Sequence, residues 1–187
     1  MGKLLCKFQN LGVLSYAKDR FTCIGKASSI AKNAWLNILY EPATTEIIEQ
    51  VEQKLGKKIP DEYKLFLTTF SNGLNILCDT LCFYGITSLS GSDSERKPYD
   101  IILPNTIEKP ENATKEMFFI GWYDWDNSQL YIDEYGIICY CSAQDALPLK
   151  KWSSLEKMLL DEVKRLYSLI DKKGVILDYT IRTTPNM

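Results

Sequence analysis

At 187 residues, 45% hydrophobic and 12% aromatic, the chain is long enough to bury one proper core and short for two. A formal net charge of −2 excludes a surface that is one continuous nucleic-acid footprint, so no direct nucleic-acid partner is expected. No run of about 18 apolar residues occurs, which excludes a membrane-spanning helix from the sequence.

The charge is unevenly placed. Residues 1–40 carry six basic residues (Lys3, Lys7, Lys18, Arg20, Lys26, Lys32) against one acid, Asp19, whereas residues 116–149 carry six acids and no base. The start has only broken apolar runs and no clean small-residue cleavage site, so the chain is expected to stay in the cytoplasm. Six cysteines are too dilute for a disulfide scaffold and sit in apolar contexts, which fits reduced thiols.

Taken in chain order, residues 1–40 read as an N-terminal extension packed on a domain formed by 41–187. Within it LLCKF, GVLSY and FTCI suggest strands, and SSIAKNAWLNILY suggests a helix. From Thr44 the pattern sharpens. Thr44 is placed to cap a helix whose Ile47, Ile48, Val51 and Leu55 share one face, and Gly56 supplies the left-handed stop. A second helix follows at 60–71, with Pro60 in its first turn, Asp61 and Glu62 on the positive end of the dipole, and Tyr63, Phe66, Leu67 and Phe70 as the apolar stripe.

After this helical hairpin the period falls to two. Residues 81–86, 117–121, 129–133 and 137–141 are short runs rich in aromatic and β-branched side chains, the signature of an antiparallel sheet. Gly136 can take the positive φ of a tight hairpin between the last two. A charged, turn-rich excursion over 91–116 separates the first two. Ser153 with Glu156 predicts a capping box for a helix over 153–171, and VILDYTI predicts a terminal strand. The fold class expected is α+β, a largely antiparallel or mixed sheet packed by helices.

These residues carry a resemblance. The order P-A-T, I-x-x-V-E-x-x-L-G-x-x-I-P-x-x-Y-K-x-F-L and N-G over Pro42–Gly73, then F-Y-G at 83–85, D-E-Y-G-I-I at 133–138 and S-L-E-K-M-L at 154–159, resembles the SUKH superfamily of fungal cell-wall regulators and bacterial immunity proteins. It covers roughly residues 42–170. The resemblance implies an α+β fold, no catalytic apparatus and, for bacterial members, stoichiometric binding of a toxin domain, often a nuclease.

The chain has no histidine, which removes histidine-based nucleophile systems, metal sites and general bases together. Phosphate-loop and nucleophile-elbow motifs are absent as well. Cys78, Cys82, Cys139 and Cys141 could be imagined as zinc thiolates, but C-x-C and C-x-x-x-C are not knuckle spacings, and cysteine in apolar runs is a small buried hydrophobe. No metal and no cofactor are expected. Paired carboxylates for glycoside hydrolysis or calcium lack the rest of either pattern.

One stretch stands apart. GWYDWDNSQLYIDEYG, residues 121–136, holds five aromatics and four carboxylates without a single Lys or Arg. Trp122, Tyr123, Asp124, Trp125, Asp126, Asp133 and Glu134 are therefore the candidate partner-binding residues: acids steer a basic partner while the rings supply desolvated contact. The plain alternative is a hairpin with solvated acids and partly buried rings. The partner expected is a protein, a basic toxin domain, with an intracellular scaffold or regulatory role as the alternative function.

Overall fold

The computed structural model describes residues 2–16, 20–87 and 97–185. The chain opens with helix α1 (Gly2–Leu5) and a 3₁₀ segment (Cys6–Leu11), then strands β1 (Val13–Tyr16), β2 (Phe21–Lys26) and β3 (Trp35–Tyr40). Helices α2 (Thr45–Leu55) and α3 (Asp61–Thr69) follow, then β4 (Leu74–Ile76), β5 (Leu81–Phe83), α4 (Ile102–Thr106), β6 (Phe118–Tyr123), β7 (Gln129–Ile132), β8 (Ile138–Cys141), β9 (Lys150–Trp152) and α5 (Leu155–Tyr167). The fold class is α+β, as the periodicities predict.

Among the described residues the nine strands form one sheet in sequence order, and every ladder is antiparallel. Residues 1–40 contribute β1–β3 to that same sheet through the β3–β4 pairing. Cross-strand partners share a face, so the registers sort the side chains into two layers. Leu39, Leu74, Phe83, Gly121, Leu130 and Tyr140 form one row on the helix-packed face. Phe66 of α3 meets Phe83 there with ring centroids 5.8 Å apart. Ile38, Asn75, Cys82, Trp122, Gln129 and Cys141 form a row on the opposite face.

That second face is closed by loops instead of helices. Tyr99 sets its ring edge-on to Trp122 at 5.3 Å, and Tyr131 donates from its hydroxyl to the Ala146 carbonyl at 2.9 Å. Backbone bonds between Glu111 and the 144–146 segment join the two loops. Where β5 ends short of the first half of β6, the Asn105 amide of α4 takes over the ladder: it donates to the Phe119 carbonyl at 2.7 Å and accepts from the Phe119 amide at 2.9 Å.

Three polar clamps explain the motif spacing between residues 48 and 85. Glu52, almost fully buried, accepts from the Ile59 amide at 3.0 Å and binds Lys58 and Lys64 at 2.7 Å each, which fixes the turn between α2 and α3. The Tyr63 hydroxyl donates to the carbonyls of Tyr84 and Ile120, tying α3 to the sheet. Asn72 pairs with both backbone groups of Ile86, at 2.7 and 2.8 Å. This brings Asn72 so close to Gly85 that a Cβ there would lie 2.4 Å from the Asn72 carbonyl oxygen, so only glycine fits.

Several local expectations hold and several are corrected. Thr44 caps α2 by accepting from the Ile47 amide, and Gly56 ends it at φ 64°. Pro60 stands at the N-cap of α3, one position before its first turn. The cap of α5 is Ser154, accepting from the Lys157 amide, and not Ser153. LLCKF belongs to α1 and the 3₁₀ segment, where Leu5 and Phe8 are buried under the sheet's helix-side core. WLNILY is strand β3 because its aromatic and branched side chains slot between β2 and β4, which overrides the helical spacing read over 28–40. VILDYTI is not a strand; it makes one bridge, Ile170 to Ile176, and then runs irregularly. The first part of the excursion, residues 91–96, lies outside the described residues, as do residues 88–90 before it.

Two buried polar groups give testable consequences. Burial raises the Glu52 carboxyl, but the Lys58, Lys64 and Ile59 bonds outweigh it and hold its pKa at about 2, below the ordinary 4.5. A lowered carboxylate stabilises the fold fully above its unfolded pKa and loses that contribution as pH falls through the folded value. Glu52→Gln should therefore cost about 2 kcal/mol at neutral pH, allowing for screening around exposed Lys58, and flatten the acid-side loss between pH 4.5 and about 2. Urea denaturation across that range measures both effects. At the other end of the core, the Tyr123 hydroxyl donates to Glu162 at 2.7 Å inside the protein. Tyr123→Phe should lower stability by about 1–2 kcal/mol in the same measurement, because Glu162 keeps Arg165 but loses a buried donor.

Candidate functional site

The β6–β7 turn builds the acidic tip. The Tyr123 amide donates to the Ser128 carbonyl at 2.9 Å to close the turn, Asp126 accepts from the Ser128 amide at 3.0 Å, and Asn127 takes a left-handed φ of 57°. Asp124 bonds through its amide to the Thr80 carbonyl at 3.1 Å, which docks this turn on the β4–β5 turn. That neighbour carries Asp79, reached through left-handed Leu77, Cys78 and Asp79, with the Asp79 carboxylate accepting from Asn75 at 2.7 Å.

Three acids thus lie on two docked turns, Asp79 on one and Asp124 and Asp126 on the other, with Asp126 paired to Arg182. Trp125, on the same turn, leaves 47% of its surface in solvent. Beside them stands the Tyr99–Trp122 edge-to-face pair, with Trp122 half-buried and Tyr99 exposed. Burial, then the nearby Cys82, Asp79 and Asp124, push the Tyr99 hydroxyl up to about 12, so it stays a neutral donor across the physiological range.

Not every candidate residue joins this surface. Tyr123 is fully buried, its side chain pointing to the helix face where it meets Tyr140 and Glu162, so it cannot present a ring to a partner. This corrects the expectation for Tyr123, and the cause is strand alternation: Trp122 and Tyr123 point to opposite faces. Asp133 and Glu134 lie in the β7–β8 turn, at the far end of β7, roughly 10 Å or more from the β6–β7 turn at the ordinary strand rise. Asp133 is also committed locally, accepting from the amides of Tyr135 and Ile137 at 2.9 Å each. The run of acids in sequence therefore divides into two groups in space.

Two members of the surface escape sequence reasoning. Asp79 sits 45 residues before Asp124, and the two turns are brought together by the β5–β6 pairing and the Asp124–Thr80 backbone bond. Tyr99 belongs to the turn-rich excursion, where no periodicity marks a ring that must cover Trp122. A third feature, Arg182, reaches back from the C-terminal segment to Asp126 with Nη2–Oδ2 at 2.5 Å.

The cysteines take no part in the surface chemistry. Cys82, Cys139 and Cys141 are buried and Cys78 is half-buried. Burial pushes the Cys78 and Cys141 thiols up to about 12 and raises Cys82 and Cys139 as well, which keeps them protonated and poorly nucleophilic. Among the described residues no group of three or more acids and cysteines is arranged to hold a metal ion. No helix among them is long and apolar enough to cross a membrane.

No curated protein matches the chain. Residues 42–161, well over half of the chain, match the model of the SMI1 / KNR4 family (SUKH-1), and this span holds the Glu52, Tyr63 and Asn72 clamps together with the turns that carry Asp79, Asp124 and Asp126. The chain belongs to the SMI1 / KNR4 family of SUKH-1 domains.

Proposed function

We propose that the chain is an immunity protein that binds a cognate toxin domain and neutralises it by stoichiometric occlusion, without turnover, in the cytoplasm. One observation carries this reading: two turns distant in sequence bring Asp79, Asp124 and Asp126 together beside exposed Trp125 and the Tyr99–Trp122 pair. Acids around aromatic rings are the arrangement that meets a basic protein surface, since the charges steer encounter and the rings supply contact area that excludes water. A nuclease domain is the partner class with the fitting charge, because its groove must be basic to hold phosphates.

The family's SMI1 / KNR4 designation favours a second reading, an intracellular scaffold or regulatory domain that binds another protein by the same surface. Gene neighbourhood separates the two. A gene for a secreted protein with a C-terminal toxin domain next to this one fits immunity, and its absence fits the scaffold.

The surface makes a kinetic prediction. Association with the toxin domain encoded beside this chain should slow as salt rises, since fields from exposed acids are screened over about 8 Å at physiological ionic strength. Asp124→Lys with Asp126→Lys should lower the on-rate while the protein keeps its fold by circular dichroism. Trp125→Ala should act on the off-rate and cost about 2 kcal/mol, as a ring at the centre of an interface does. Stopped-flow or surface-plasmon kinetics at several salt concentrations check all three, and an unchanged on-rate and salt slope in the double lysine variant would contradict the assignment.

A further inference from the structure

The residues beyond α5 do more than trail from the domain. After the Ile170–Ile176 bridge the described residues 177–185 form no helix or strand, yet Thr184 is fully buried and Pro185 is buried with it. The segment returns to the acidic tip, and two of its contacts bear on the surface. Arg182 puts its guanidinium on Asp126 at 2.5 Å, and the Thr183 carbonyl accepts from Arg165 Nη2 at 2.6 Å.

Arg165 links that contact to an unusual buried group. The same Nη2 donates to Glu162 Oε2 at 2.6 Å, and Glu162 is only 1% exposed. Its Oε2 is well served, by Arg165 and by the Tyr123 hydroxyl. Its Oε1 has no hydrogen-bond partner among the described residues, and Lys150 Nζ stands 3.8 Å away. A buried carboxylate oxygen without a donor is a costly arrangement, and it marks a place where a further N–H group would be bound strongly.

We infer that Arg182–Pro185 occupies in cis the seat of an arginine-bearing extended segment of the partner, so that the partner must displace this strap to engage Asp126 and the edge of the Glu162 site. The inference rests on the binding-surface reading above and adds to it the chemistry of the partner's contact: a guanidinium on Asp126, with main chain running alongside Arg165. Charge complementarity is visible in the cis contact itself, where an arginine on an irregular segment already sits on the acid. The strap then sets a threshold. Apparent affinity is reduced by the fraction of molecules in which the strap is closed, and weakening the strap removes that reduction.

A nona-arginine peptide is the probe. Titrated calorimetrically, it should bind Arg182→Ala about two- to fivefold more tightly than the unmodified chain, the factor that loss of one exposed ion pair implies. Lys54→Ala removes the same charge from an exposed position on α2 and should produce a smaller gain. In parallel, the amide NMR signals of Thr183 and Thr184 should move as the peptide saturates the unmodified chain. The strap is overturned if Arg182→Ala gains no more than Lys54→Ala, or if those two amides stay in place at saturation. Binding with unmoved strap signals removes the strap alone, whereas no binding to either protein removes the acidic surface with it.

Discussion

Every strand of the sheet pairs with its neighbour in sequence, and that single constraint distributes the loops. In an antiparallel meander successive turns alternate between the two ends. The β4–β5, β6–β7 and β8–β9 connections therefore share one end, while the helical hairpin, the β5–β6 connection and the β7–β8 turn start from the other. The turns that carry Asp79, Asp124 and Asp126 are neighbours because they have the same parity. Asp133 and Glu134, close to them in sequence, are carried away by the length of β7.

The helix side of the fold is held by groups that serve backbone as much as each other. Glu52 satisfies the Ile59 amide, Tyr63 satisfies two carbonyls beyond its own helix, and Asn72 satisfies both backbone groups of Ile86. Each clamp reaches across a turn or between layers, so its spacing in the chain is fixed by geometry. A buried polar side chain in such a position is costly to leave without its partner, which ties the residue type to the place. The acidic tip is built on this base: α3 orders Tyr84 and Ile120, and β5 and β6 present Trp122 and the turns.

Periodicity located α2, α3 and α5 and strands β5 to β8, because in each the apolar spacing agrees with the capping residues and turn formers at the ends. It failed where tertiary contacts decide. WLNILY has spacing compatible with a helix and becomes a strand only through its two neighbours, and KKW at β9 is too short and charged to announce itself. VILDYTI has strand composition, but among the described residues its one bridge is Ile170 to Ile176. For the candidate surface, the density of rings and acids between 121 and 136 draws the eye to the β6–β7 turn, and the structure places Trp122, Asp124, Trp125 and Asp126 in or beside that turn. The buried direction of Tyr123, the separation of Asp133 and the arrival of Asp79, Tyr99 and Arg182 follow from pairing and packing over long sequence distances, which no local window contains.

The location of the partner-binding surface is the central claim, and hydrogen–deuterium exchange reads it without any substitution. The chain is measured free and saturated with the basic toxin domain proposed as its partner, with exchange followed peptide by peptide. The account predicts that protection gained on binding centres on the β4–β5 and β6–β7 turns, around Asp79 and Asp124–Asn127, with the Tyr99 segment included. Protection confined to the opposite end, around Tyr135 in the β7–β8 turn or along α2 and α3, would contradict it.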